Sequence, residues 1–178
     1  MKKYLFVIVL IMLFSCGKKR EKADVMNAVK ETGKLVTAEY TLIKIIKAND
    51  NKTWYKIGDR KILMSCEAHL KAGIDLQKIT SKNVVQNDSS IQLSLPHAEI
   101  FSLNIPADKI QLQYQQIDLL RQPFSAAERE ELLAQAQLQI QQLADSLGIL
   151  KTAEDNASLF LKRMLQQTTS RQIEINFN

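Results

Sequence analysis

Two histidines, two cysteines and a scatter of carboxylates are the residues of this 178-residue chain that could do chemistry. Glu67 and His69 stand two apart, so on a strand they share a face and could lend two ligands to a metal. A structural zinc site takes four ligands and a catalytic one three. The pair therefore reads as a solvated strand face, and no metal site is assigned. Asp75, in Ala72-Gly73-Ile74-Asp75-Leu76, reads as the cap of a short turn over Leu76–Ile79, against the alternative of an acid near a cleft. Glu128, Glu130 and Glu131 crowd the first turn of a helix, where carboxylates complement the helix dipole. Cys66 falls on the same strand face as Ile62, Met64 and Leu70, and a thiol buried among apolar side chains is inert. The five glycines, at 17, 33, 58, 73 and 148, build no phosphate-cradling loop. No G-x-S-x-G nucleophile elbow occurs. No catalytic residue and no cofactor is assigned.

The remaining cysteine has a different chemistry. Lys2 and Lys3 form a basic start, Leu5 to Leu13 an apolar run, and Ser15 a small residue at a cleavage point, which together make a secretory signal. The run from Tyr4 to Phe14 is too short to span a bilayer, which takes about 20 apolar residues. Leu13-Phe14-Ser15-Cys16 resembles the bacterial lipobox, in which a diacylglyceryl group is attached to the thiol before the signal is cut. Leu13 and Ser15 fit that motif, and Phe14 is bulkier than usual for it. The alternative is plain secretion with an incidental cysteine. The expected organisation is a lipoprotein signal peptide over 1–15, a lipidated Cys16 with a basic tether over 16–24, and a single α+β domain over 25–178. With Cys16 acylated, Cys66 has no partner for an internal disulfide.

Charge narrows the function classes. The formal net charge is +5, but six of the 24 basic residues and one of the 19 acidic ones precede Ala23, which leaves 18 of each beyond it. A near-neutral domain does not support nucleic-acid binding. The basic tether either lies near anionic headgroups or is a solvated spacer.

These residues need elements to hold them. A short helix is expected near Val25–Thr32, stopped by Gly33. Alternation in Val36, Ala38, Tyr40 and Leu42 predicts a strand, with a turn at Asn49-Asp50-Asn51. Thr53–Ile57 reads as a second strand and Gly58-Asp59 as a tight hairpin. Ile62, Met64, Cys66, Ala68, Leu70 and Ala72 define a third strand with one wet face, the mark of an antiparallel sheet. Further strands are expected at Asn83–Gln86, Ser90–Leu95, Glu99–Ile105 and Lys109–Gln115. The period then changes. Ser125-Ala126-Ala127-Glu128 is a capping box opening a helix to Leu147, with Gly148 as its stop. Thr152-Ala153-Glu154-Asp155 is a second capping signature, for a helix striped by Ala153, Ala157, Phe160, Leu161, Met164 and Leu165. Ile173, Ile175 and Phe177 close the chain as a strand. The fold class is α+β: an antiparallel sheet of about six to eight strands, a C-terminal helical hairpin and a closing strand.

"GDRKILMSCEAHLKAGIDLQKI", "IQLSLPHAEIF", "ADSLGILKTAEDNASLFLKRML" and "IEINF" together resemble the domain of unknown function 4230 family, DUF4230, whose members are bacterial envelope proteins. The resemblance runs from about Gly33 to the C-terminus. It implies anchoring by an N-terminal membrane segment or lipid, in agreement with Cys16, and it implies no catalytic residue. The reading is a lipid-anchored protein of the cell envelope with its domain in the periplasm, serving as a non-enzymatic interaction or assembly module. The alternatives are an envelope enzyme with dispersed loop residues around Asp75 and His97, or a carrier of a small apolar ligand. Leu138 and Leu159 break the stripes of their helices. Either each helix buries a second face within its own chain, or the two leucines mark a surface for a protein partner or self-association.

Overall fold

The computed structural model describes residues 25–27, 29–51 and 57–178. The signal, the tether with Cys16 and most of the Thr53–Ile57 strand expectation lie outside them. Among the described residues the fold is α+β with seven strands: six precede two long helices, and the seventh follows them. The strands lie in two sheets, and the chain gathers into two compact units.

One unit comprises Val36–Gly73 and Ala98–Ala153. Period-two alternation builds its strands. From Ala38 on, β1 (Lys34–Asp50) turns its even positions inward, where Ala38 and Ile46 are buried, while Val36, expected on that face, is exposed. β2 (Arg60–Asp75) buries Ile62, Met64, Cys66, Ala68, Leu70 and Ala72, the six positions its alternation predicts. Glu39 meets Lys71 (3.0 Å), Thr41 meets His69 (3.2 Å) and Asp50 meets Arg60 (2.8 Å). These contacts climb β1 as they descend β2, so the two strands run antiparallel.

Two strands pair in succession with β2. One, Glu99–Asn104, runs from Gly73↔Glu99 to His69↔Asn104; the other, Ile110–Ile117, runs from Cys66↔Ile110 to Arg60↔Ile117. Both are antiparallel to it. Between them lie Pro106, which has no N–H to give a ladder, and a 3-10 turn at Ala107–Lys109. A long helix, α1 (Ala126–Ser146), closes the inner face. Ile46, Ile62, Met64 and Cys66 form one core with Phe124 and Ala136, against which Leu132 and Leu133 pack. Full burial of a side chain of this size contributes about 1.5–3 kcal/mol.

The other unit comprises the described residues up to Leu35, with Ile74–His97 and Glu154–Asn178. Helical residues 25–27 and 29–31 end at Gly33, whose φ of +67° is the left-handed stop that a glycine supplies. The Gly33 carbonyl accepts the Leu76 N–H at 3.0 Å. Its sheet has β3 (Val84–Gln86), β4 (Ser90–Leu95) and β7 (Gln172–Phe177), so the Glu99–Asn104 and Ile110–Ile117 strands are β5 and β6. β4 is central, antiparallel to β3 and parallel to β7, from Ser90↔Gln172 to Leu95↔Phe177. Ile91, Leu93 and Leu95 are fully buried on it. The closing strand β7, whose pairing the sequence left open, runs parallel to β4, to which it is joined by a long crossover rather than by a hairpin.

The second long helix, α2 (Ile149–Gln166), starts before its expected cap. The Thr152 hydroxyl donates to the Gly148 carbonyl at 3.0 Å, an internal bond one turn back, so it does not cap the helix. The buried stripe is Ala153, Ala157, Leu161 and Leu165, in steps of four, while Phe160 is 47% exposed. Among the described residues, no helix is long and apolar enough to cross a membrane.

Candidate functional site

A polar cluster joins the start of β2 to the segment between β6 and α1. Arg60 lies at its centre. Its Nε donates to Asp50 Oδ2 at 2.8 Å, Nη1 donates to Glu128 Oε2 at 3.2 Å, and Nη2 donates to the second Glu128 oxygen. Its guanidinium carbon sits 4.3 Å from the centroid of the Phe124 ring, within cation–π range. Arg121 donates to Asp50 Oδ2 and, at 3.2 Å, to the Gly58 carbonyl. Glu128 also completes the capping box that the sequence predicts: it accepts the Ser125 N–H at 2.8 Å and donates its own N–H to Ser125 Oγ at 3.2 Å.

The hydrogen bond from Arg60, then that from the Ser125 N–H, hold the Glu128 carboxyl well below the usual carboxylate range, at about 2. Glu128 in turn holds the Arg60 pKa above its ordinary value, with Asp50 adding to it and burial opposing. Both charges are fixed at neutral pH, so this pair has no proton to exchange there. It is a clamp.

The clamp fixes a turn. The Arg121 N–H donates to the Asp118 carbonyl at 2.9 Å, which places Leu119 and Leu120 at the two corners of a β-turn. Asp118 is tied to the root of β2: its N–H donates to the Asp59 carbonyl at 3.0 Å, and its carboxylate accepts the Asp59 N–H at 2.8 Å. Gly58 allows the approach. Its φ is +91°, and a Cβ there would lie 2.7 Å from Asp118 Cβ. Leu119 is 102% exposed, Leu120 73% and neighbouring Ile57 70%. Sequence reasoning missed both the clamp and the bare turn. The clamp joins residues far apart in the chain and has no local signature. The turn had one, in the pair Leu119-Leu120 lying between the end of strand alternation and Pro123.

The residues singled out from sequence fall elsewhere. Glu67 and His69 do share the wet face of β2, 3.4 Å apart, with Thr41 at 3.2 Å from the ring and Lys109 at 3.9 Å from the carboxylate. A shallow groove of about 300 Å³ beside them is lined by Glu39, Tyr40, Thr41, His69, Leu70 and Lys71. Among the described residues, no three His, Cys, Asp or Glu side chains converge as metal ligands. Asp75 caps the 3-10 turn Leu76–Lys78 by accepting the Gln77 N–H at 3.1 Å, the structural role expected of it. His97 lies 2.8 Å from Glu154 and stacks on Phe177, with ring centroids 6.4 Å apart. Cys66 is 1% exposed, and burial raises its pKa, against a weaker lowering by the Lys44 backbone. Glu130 and Glu131 are exposed on the first turns of α1. Leu138 is 60% exposed and Leu159 49%, so neither is buried within its own chain.

No curated protein and no solved structure matches the chain. A family model described as "Protein of unknown function (DUF4230)" matches residues 27–175, from the N-terminal helical residues through most of β7. With that match covering most of its length, and agreeing with the motifs noted around Gly58, Gly73 and Pro96, this chain belongs to the DUF4230 family.

Proposed function

We propose that this chain is a lipid-anchored protein of the bacterial cell envelope, held to the membrane by acyl chains on Cys16 with its folded part in the periplasm. In this role it is a non-enzymatic interaction or assembly module. The observation that carries the reading is the order of the first residues: basic Lys2-Lys3, the apolar run Leu5–Leu13, then Leu13-Phe14-Ser15-Cys16. One acyl chain binds a membrane only marginally, and the two or three that a lipobox cysteine carries anchor it stably. The exposed leucines at 138 and 159 support an interaction role, because they offer apolar surface to a protein partner or a second copy.

The test of the anchor is Cys16→Ser. The variant is expected to keep its signal, seen as a higher mass, or to leave the membrane fraction. A variant that matured to the wild-type mass and still sedimented with membranes would overturn lipidation. Cross-linking and pull-down of the anchored wild type from its own envelope then identifies the partner.

A further inference from the structure

We infer that the turn Asp118–Arg121 is a second membrane contact, a rigid apolar tip whose Leu119 and Leu120 enter the lipid interface. This rests on the anchored reading above and extends it.

The corner positions of a β-turn favour Asn, Asp, Gly, Pro and Ser, each for a backbone or hydration reason. Here both corners are leucine, and nothing in the described chain covers Leu119 at all. Ile57 adds a third exposed apolar side chain next to Gly58, whose carbonyl receives the Arg121 guanidinium. A single exposed leucine needs no explanation. A pair of them on a fixed convex corner is different. The turn is braced by the Asp118–Asp59 pair of hydrogen bonds, by Arg121 on Asp50 and Gly58, and by Arg60 linking Asp50 to Glu128. Little conformational freedom remains to be lost when the tip is buried.

The shape and the tether decide the occupant. Two side chains projecting from a corner form a point, and a fluid interface admits a point without needing a complementary groove. Residues 17–24 separate the acylated cysteine from the described chain, and eight extended residues reach at most about 28 Å. A bilayer is therefore the apolar phase that the chain meets at high effective concentration.

The test uses the full acylated chain carrying Leu119→Cys labelled with an environment-sensitive NBD fluorophore, reconstituted in vesicles of phosphatidylethanolamine and phosphatidylglycerol. Buried Cys66 stays unlabelled in the native protein. Leu120→Cys is the second position and Glu130→Cys the water-exposed control, with an unchanged unfolding midpoint confirming each fold. Probes at 119 and 120 are expected to shift to the blue and to be quenched by lipids brominated in their acyl chains, while the probe at 130 does neither. Protein that floats with the vesicles while all three probes report water overturns the inference and leaves the anchor standing. A blue shift without quenching by brominated lipid assigns the tip to a protein and also overturns it. If Cys16→Ser, freed of its signal, still floats and its tip probes are quenched, the tip binds lipid without the acyl chains and the inference holds.

Discussion

Glu128 shows how a single side chain ties sequence to stability. It closes the capping box of α1 and receives the guanidinium of Arg60, 68 positions away in the sequence. Its carboxyl pKa is lowered from 4.5 to about 2 in the folded chain. A lowered folded value means that the carboxylate stabilises the fold fully above 4.5 and loses that effect as pH falls through the window down to about 2. Glu128→Gln is expected to be less stable than wild type at neutral pH and to converge with it across this window, as read from urea midpoints against pH. Parallel curves would show that the ion pair contributes nothing. The capping box was legible because its partners are three residues apart. The Arg60 contact was not, because no local pattern ties position 60 to position 128.

At the scale of elements, two glycines separate two kinds of constraint. Gly148 has a φ of +69° with open space around its Cβ position, so Gly148→Ala is expected to cost only the left-handed backbone, about 1–2 kcal/mol. Gly58 has a φ of +91° and meets Asp118, so Gly58→Ala adds a collision to the same strain and is the more destabilising of the two. Chemical denaturation of both variants measures the difference, and equal losses would show that Asp118 yields freely. β2 could be read from sequence because inward apolar and outward polar residues alternate almost without exception. β1 was harder, because Ile43 and Ile45 put apolar side chains on the wet face and blur the period. The start of α2 was misplaced because a threonine four residues into the helix looks like a cap in sequence while its hydroxyl serves Gly148. The parallel pairing of β4 with β7 left no trace, since register between distant strands is set by the assembled sheet.

For the whole molecule, the exposure of Leu138 and Leu159 sets the next expectation. Changing both to Ser should leave stability within about 0.5 kcal/mol, as for other surface substitutions. Under the interaction reading, it should also abolish association on sizing or cross-linking. A loss of about 2 kcal/mol or more per site would mean that both are packed inside the chain. Unchanged stability with unchanged association would remove these leucines from the proposal.

The chain order of the two units has a consequence in time. In the sequence, Ala98–Ala153 falls between two segments of the other unit, whose central strand β4 receives its second edge from Gln172–Phe177. During synthesis, β4 emerges long before its partner. Until the last residues arrive it is an apolar strand, bearing Ile91, Leu93 and Leu95, with an open row of hydrogen-bonding groups. The nested unit holds both of its segments well before that point. One part of this protein can therefore finish folding while the other still waits, and the waiting part is the one that a holding chaperone would need to shield.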